Sequence, residues 1–203
     1  MKIQSLKYTF LYNLIFPFVE IIHAFNWYKT GKSATPHFIK KRIVEQYQKK
    51  YKTQIFIETG TYLGIMVNSI KGSFKKIYTI ELDAALYRLA QKKFKNFRHI
   101  ELILGDSATV IPKLLKTIHT PCLFWLDANY SGGFTTKKKG ENTPILDELS
   151  AIFNHKIKNH VILIDDANIF IGKNDYPTIH YIEEFTSRKN HNVTVKDNII
   201  IIC

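Results

Sequence analysis

The feature that most restricts the fold is an alternation that begins at residue 55. Apolar, β-rich runs lie at 55–58, 77–82, 100–104, 122–127 and 161–165. Between and after them, apolar residues at helical spacing mark 64–70, 84–94, 108–117, 144–156 and 177–187. Strands alternating with helices of this length predict a parallel sheet with helices on both faces. The finish differs, because 191–196 and 199–203 flank Asp197-Asn198, a two-residue turn signal. A terminal antiparallel hairpin completes seven strands, and the predicted class is α/β, doubly wound and mostly parallel. With 203 residues, 45% of them hydrophobic and 23% charged, the chain can bury one full core.

Each of the five runs ends at an acid: Glu58, Glu81, Asp106, Asp127 and the Asp165–Asp166 pair. An open parallel sheet binds its ligand just beyond the carboxyl ends of its strands. Acids delivered together to that edge point to a nucleotide-type cofactor and to a metal. In Glu58-Thr59-Gly60-Thr61-Tyr62-Leu63-Gly64, glycine permits a tight turn and close approach to a ligand, and Glu58 can accept from an ammonium or a hydroxyl. A nicotinamide site wants Gly-x-Gly-x-x-Gly; here Tyr62 stands at the second glycine and would crowd a pyrophosphate. The plain alternative for each acid is a helix cap or a surface ion pair. Asp83, before Ala84-Ala85-Leu86, reads as a cap.

The turn Glu-x-Gly-x-x-x-Gly resembles the first motif of class I S-adenosylmethionine (SAM)-dependent methyltransferases, whose fold is Rossmann-like. The likeness continues in order over roughly residues 53–203. Ile80-Glu81 looks like the acid that holds ribose hydroxyls, Gly105-Asp106-Ser107 like the motif near the adenine amine, and Phe124-Trp125-Leu126-Asp127 like the fourth motif. The resemblance implies SAM as cofactor, with Glu58, Thr59, Gly60, Thr61, Gly64, Glu81, Asp106, Ser107 and Asp127 around it. Asp127, Asp165 and Asp166 further resemble the metal set of small-molecule O-methyltransferases of the macrocin type, which act on sugars. By charge alone, three converging carboxylates call for a hard cation such as Mg²⁺. The alternative is that Asp127 touches cofactor or substrate while Asp165 and Asp166 bond to backbone amides.

After the fourth strand, Asn129-Tyr130-Ser131-Gly132-Gly133-Phe134-Thr135-Thr136 and Lys137-Lys138-Lys139 form a long loop of the lid or binding type. A related bacterial group is similar in its Trp-Leu-Asp-Ala-x-Tyr-Ser-Gly-Gly stretch, where x is often His; Asn129 here cannot take a proton. That shifts weight to the metal or Asp127, and Asp127 and Tyr130 are the expected catalytic residues. His160 is expected to cap or face solvent before the fifth strand.

The net charge of +12 favours anionic partners, but residues 1–53 alone carry +8 of it, from ten Lys/Arg and two Glu. Residues 1–52 read as a helical extension before a methyltransferase domain at 53–203. In 37–51, Phe38, Ile39, Ile43, Val44 and Tyr47 make an apolar stripe, and the lysines between them are expected to form a solvated face. Gly31-Lys32-Ser33 lacks the upstream glycine of a phosphate loop. Residues 8–28 are aromatic and apolar between lysines, but Asn13, Pro17, Glu20 and His23 make them a poor membrane span. Two readings stand: a helix packed on the domain or on a second subunit, or an interfacial helix on anionic lipid. Cys122 and Cys203 form no disulfide or metal pattern, which suits a reducing cytoplasm, with peripheral attachment at the inner face of the membrane under the second reading. The leading function is O-methylation of a hydroxylated small molecule or glycan. The alternatives are a nucleic-acid (RNA) methyltransferase, disfavoured because Asp127-Ala-Asn-Tyr lacks the prolines of a base-stacking slot, and a non-catalytic SAM-binding domain at a membrane.

Overall fold

The structure, a computed structural model, describes residues 10–30, 35–128, 143–189 and 191–203, with side chains of the first helix from residue 18 to 29. Two helices lead, α1 (Phe10–Thr30) and α2 (His37–Tyr51). Then follow β1 (Ile55–Thr59), α3 (Ile65–Ile70), β2 (Lys76–Glu81), α4 (Ala84–Phe94), β3 (Ile100–Leu104), α5 (Ser107–Leu115) and β4 (Cys122–Leu126). The chain ends with α6 (Ile145–Asn154), β5 (Val161–Ile164), a 3-10 turn at Ala167–Ile169, α7 (Ile179–Ser187), β6 (Val193–Lys196) and β7 (Ile199–Ile202).

The seven strands form one sheet in the order β3-β2-β1-β4-β5-β7-β6. The first five are mutually parallel, and β7 runs antiparallel to both β5 and β6. The expected α/β class, parallel core and terminal hairpin are all present. Asp197 and Asn198 both adopt positive φ, 51° and 62°, as a two-residue type I′ hairpin turn requires. Strand order reverses between β1 and β4, the place where such sheets open a crevice.

Alternate strand residues face opposite sides of the sheet. On one side Ile57, Ile80, Phe124 and Ile162 pack with Ile111 of α5 and Leu149 of α6. On the other, Phe56, Ile77, Trp125 and Leu163 pack with Ile39 of α2 and Val67 of α3. Counting in twos from Phe56, Ile77, Trp125 and Leu163 puts Glu58, Thr79, Glu81, Asp127 and Asp165 on this second side. One face therefore receives the acids of four neighbouring strands.

Helix α2 covers that face, with Ile39, Ile43 and Val44 fully buried. Its N-terminus is held from two directions. The Thr35 hydroxyl donates to the Asp197 carbonyl at the hairpin tip (2.7 Å), and the amide of His37 donates to Oε2 of Glu20 on α1 (2.7 Å). A carboxylate there satisfies an orphan helix amide and complements the helix dipole.

Candidate functional site

At the β1–β2 end, Glu58 is buried, and its Oε2 accepts from the Thr79 hydroxyl (2.5 Å). Thr61 is hydrogen-bonded to Thr79 in turn (2.5 Å between hydroxyls). Burial, moderated by the Thr79 hydroxyl, pushes the Glu58 carboxyl up to about 8, with the Glu81 charge adding to the rise. Glu81 accepts the Tyr62 amide (2.7 Å) and the Asp83 amide (2.9 Å), so one carboxylate ties the turn after β1 to the turn after β2. Burial raises its pKa, and those amides oppose the rise. Asp83 caps α4 by accepting from the Ala85 and Leu86 amides, as its position before that helix predicts.

Gly60 (φ 81°) owes its identity to packing: a Cβ there would lie 2.4 Å from the Asp127 carbonyl oxygen. The turn after β1 thus presses directly on the chain leaving β4. The Asp127 amide donates to the Thr59 carbonyl oxygen (3.1 Å), which fixes that contact. Gly64 (φ 61°) faces the Phe94 ring in the same way, with a would-be Cβ at 2.6 Å.

At the β4–β5 end, oxygens of Asp127, Asp165 and Asp166 lie within 4.8 Å of one another. Asp165 is wholly buried. Its Oδ1 accepts the Asp166 amide (2.9 Å), and its Oδ2 is ion-paired to Nζ of Lys40 on α2. Part of the Asp127 residue is accessible, yet protein surrounds its carboxyl. Burial and then the Asp165 charge push that carboxyl well above the usual range, against the pull of Lys40. The Asp165 carboxyl is raised by burial, which outweighs Lys40. Burial disfavours the Lys40 charge, but Asp165, then Asp127 and Asp166, more than offset this and raise its pKa. Lys40 therefore departs from the solvated face expected of the α2 lysines. It borders the buried stripe one position after Ile39, and its stem runs inward to a partner that helical periodicity cannot disclose. The local signal was indirect: three acids in need of a cation.

A third group lies on the opposite face of the sheet. Glu148 of α6 is almost fully buried, beside the hydroxyls of Ser107 and Thr59, and its Oε1 has no hydrogen-bond partner among the described residues. Burial pushes its carboxyl up to about 7, while the two hydroxyls favour the charged form. Sequence reasoning missed Glu148, though a signal existed. With Ile145, Leu149 and Ile152 it completes the i, i+3, i+4, i+7 spacing of an inward face, where an acid is out of place. Asp106 caps α5 by accepting the Ala108 amide (3.1 Å) and lies near Glu148.

The structure thus brings Glu58, Thr61 and Glu81 together at one end of the face and Asp127, Asp165 and Asp166 at the other. The two ends meet where the Glu58 charge acts on Asp127. Thr59, Ser107 and Asp106 sit on the far side with Glu148. Tyr130 and the rest of the 129–142 loop, like Gly31-Lys32-Ser33, lie outside the described residues. His160 corrects the expectation of a cap or solvated residue. It is buried, its Nδ1 accepts the Cys122 amide (3.0 Å), and its Nε2 pairs with Nδ1 of His155 (2.9 Å). Burial pushes it down to about 4, so it serves as a neutral hydrogen-bonding core residue at the other edge of the sheet.

No protein-family profile matches the chain, and no curated protein sequence matches it. Solved structures do. A candidate caffeoyl-CoA O-methyltransferase from Staphylococcus aureus superposes with TM-score 0.60 at 12% identity, over 97% of this chain and 98% of that one. The O-methyltransferase TomG of Streptomyces achromogenes, involved in tomaymycin synthesis and crystallised with SAM, gives TM-score 0.60 at 12% identity, over 84% and 80% of the two chains. The methyltransferase PaMTH1 of Podospora anserina, bound to S-adenosylhomocysteine (SAH), gives 0.56 at 16%, over 90% and 86%. The chain has the Rossmann-like fold of these methyltransferases.

Proposed function

We propose that the protein is a SAM-dependent methyltransferase acting on a hydroxyl of a small molecule or glycan. The observation that carries this reading is the acid-tipped edge at the point of strand reversal, on a fold shared with structures that hold SAM or SAH. In this reading Glu81 holds the ribose diol, Glu58 faces the cationic amino-acid part, and Thr59, Gly60, Thr61 and Gly64 shape the turn against which the cofactor lies. Asp106 and Ser107 border the adenine. Bound SAM supplies an electrophilic methyl group. Asp127, in its ionised form and with burial raising its affinity for a proton, would take the acceptor's proton as the new O–C bond forms and the methyl–sulfur bond breaks, leaving SAH. Tyr130 is assigned to orient the acceptor hydroxyl.

Asp127, Asp165 and Asp166 offer hard oxygen donors that suit Mg²⁺, and an ion held there would polarise the acceptor oxygen. The catalytic unit is residues 53–203, with α2 of the 1–52 extension contributing Lys40. The test is calorimetry with SAH followed by transfer of labelled methyl from SAM to pools of sugars, phenols and RNA. Tight SAH binding with label in the hydroxylated small molecules is expected. Absence of SAH binding, or label in RNA alone, overturns the reading.

We also propose that α1 makes peripheral contact with anionic membrane on the cytoplasmic side. No described helix is long and apolar enough to cross a membrane. Trp27 and Glu20 tie α1 to the domain, while Phe18, Ile21, Ile22, Phe25 and Tyr28 form an exposed apolar stripe. Flotation of the full chain with anionic liposomes is expected. A stable dimer in solution with no flotation would assign the stripe to a second subunit instead.

A further inference from the structure

We propose that Lys40 is the resident cation of the Asp127–Asp165–Asp166 cluster, and that its ammonium and a divalent ion exclude one another there. Lys40, on α2, lies 125 positions from its partner Asp165 in the chain. Asp165 is the pivot. One of its oxygens is taken by the Asp166 amide and the other by the Lys40 ammonium. Each of those oxygens keeps a second lone pair, but a divalent ion taking one would stand close to the Lys40 ammonium, and repulsion between the two cations in this buried setting drives one of them out. The ammonium is the part that can leave, because it ends a flexible four-carbon stem.

The lysine is not a chance surface contact. Its side chain is 16% exposed and the Asp165 side chain 1%. Helix α2 is fixed on the sheet by buried Ile39 and Ile43, and its start is fixed by Thr35 on Asp197 and by Glu20 on the His37 amide. The groups that face the ammonium are Asp165, Asp127 and Asp166, from the chain segments leaving β4 and β5. A single positive charge against three carboxylates leaves the cluster anionic. It therefore still attracts a cation while holding its first one by a tether. An acceptor oxygen arriving beside Asp127 would meet a fixed positive charge supplied by the chain, and methyl transfer would proceed without added divalent metal.

The experiment is titration of Mn²⁺ into wild type and Lys40→Met, read by calorimetry and by thermal unfolding. SAH binding is measured on the same samples, so that failure of this inference is told apart from failure of the methyltransferase reading. Lys40→Met should bind Mn²⁺ about tenfold or more tighter than wild type, as expected when a competing charge leaves a shared oxygen. Its lowered melting temperature should begin to rise at Mn²⁺ concentrations about tenfold below those that move the wild type. Equal affinities for the two proteins, or no ion binding by Lys40→Met, would overturn the proposal. Where the variant does not fold, the wild type answers alone through NMR of its ¹⁵N-labelled lysine ammonium groups. This titration uses diamagnetic Mg²⁺, and the Lys40 signal should move to a solvent-like shift as the ion enters. Saturation by the ion with the Lys40 shift unchanged means that ion and ammonium share the cluster and refutes exclusion.

Discussion

The two ends of the acidic face solve the same electrostatic problem in different ways. At the β1–β2 end, Glu58 and Glu81 are met by neutral donors, the Thr79 hydroxyl and the Tyr62 and Asp83 amides, all from the strands and turns of that end. At the β4–β5 end, Asp165 is met by a full positive charge from a helix at the other end of the chain. Neutral donors leave a carboxylate hungry for a cation, which suits a pocket for a ligand bearing ammonium and sulfonium. A lysine quenches that demand from within. Under the proposed function the first end awaits a ligand, whereas at the second Lys40 already meets part of the charge.

The contrast can be broken at its strongest point. Asp165→Ala strips Lys40 of its direct partner in a buried setting and should cost about 3 kcal/mol of stability in denaturant unfolding; a loss under about 1 kcal/mol would show that Asp127 and Asp166 hold the ammonium unaided. Next comes Asp127→Asn, which should lower kcat/KM for methyl transfer by roughly 10²–10³ with SAH affinity nearly unchanged, the pattern of a group that acts on the reacting atoms. Glu81→Gln should weaken SAH binding by roughly tenfold or more while kcat holds, since a charge-assisted bond to the ligand is replaced by a neutral one.

The pH dependence sharpens the comparison at the neutral-donor end. Without ligand, Glu58 keeps its proton until about pH 8, whereas an ordinary glutamate loses it near 4.5. A cationic ligand favours the ionised form and expels that proton, so SAM affinity should rise with pH and level off above about 8; Glu58→Gln should abolish the slope. Stability of the ligand-free protein runs the other way. The folded state holds the extra proton, so the Glu58 contribution is full below pH 4.5 and is lost as pH rises through about 8. The smallest effect is expected at Glu148→Gln. It removes a buried carboxyl that ionises near pH 7 and should stabilise the protein by about 1 kcal/mol at mildly alkaline pH, with no gain below 4.5.

Much of this was legible from the residues, and the boundary has a physical cause. The sheet, the hairpin and the acid at each strand end are written in local period and spacing, which a single pass along the chain detects. Asp83 as a cap is local in the same sense. Glu148 was legible in principle, as an acid standing in an apolar helical stripe. Lys40 was not, because a lysine beside an apolar stripe looks the same whether its ammonium meets water or a carboxylate. His160 failed for the same reason, since its partners Cys122 and His155 are set by how β4, β5 and α6 come together.

The tip of the last hairpin has a consequence for how the molecule is made. Asn198 accepts the amides of Ala167 and Asn168, just past the Asp165–Asp166 pair, and Asp197 holds Thr35 at the start of the lysine-bearing helix. A nascent chain emerges from the ribosome in order, and its early strands can pair while later ones are still being added. The half of the face carrying Glu58 and Glu81 can therefore take shape early. The Thr35–Asp197 contact waits for the hairpin to be synthesised, so a translation product stopped before residue 193 would hold the start of the lysine-bearing helix by Glu20 alone.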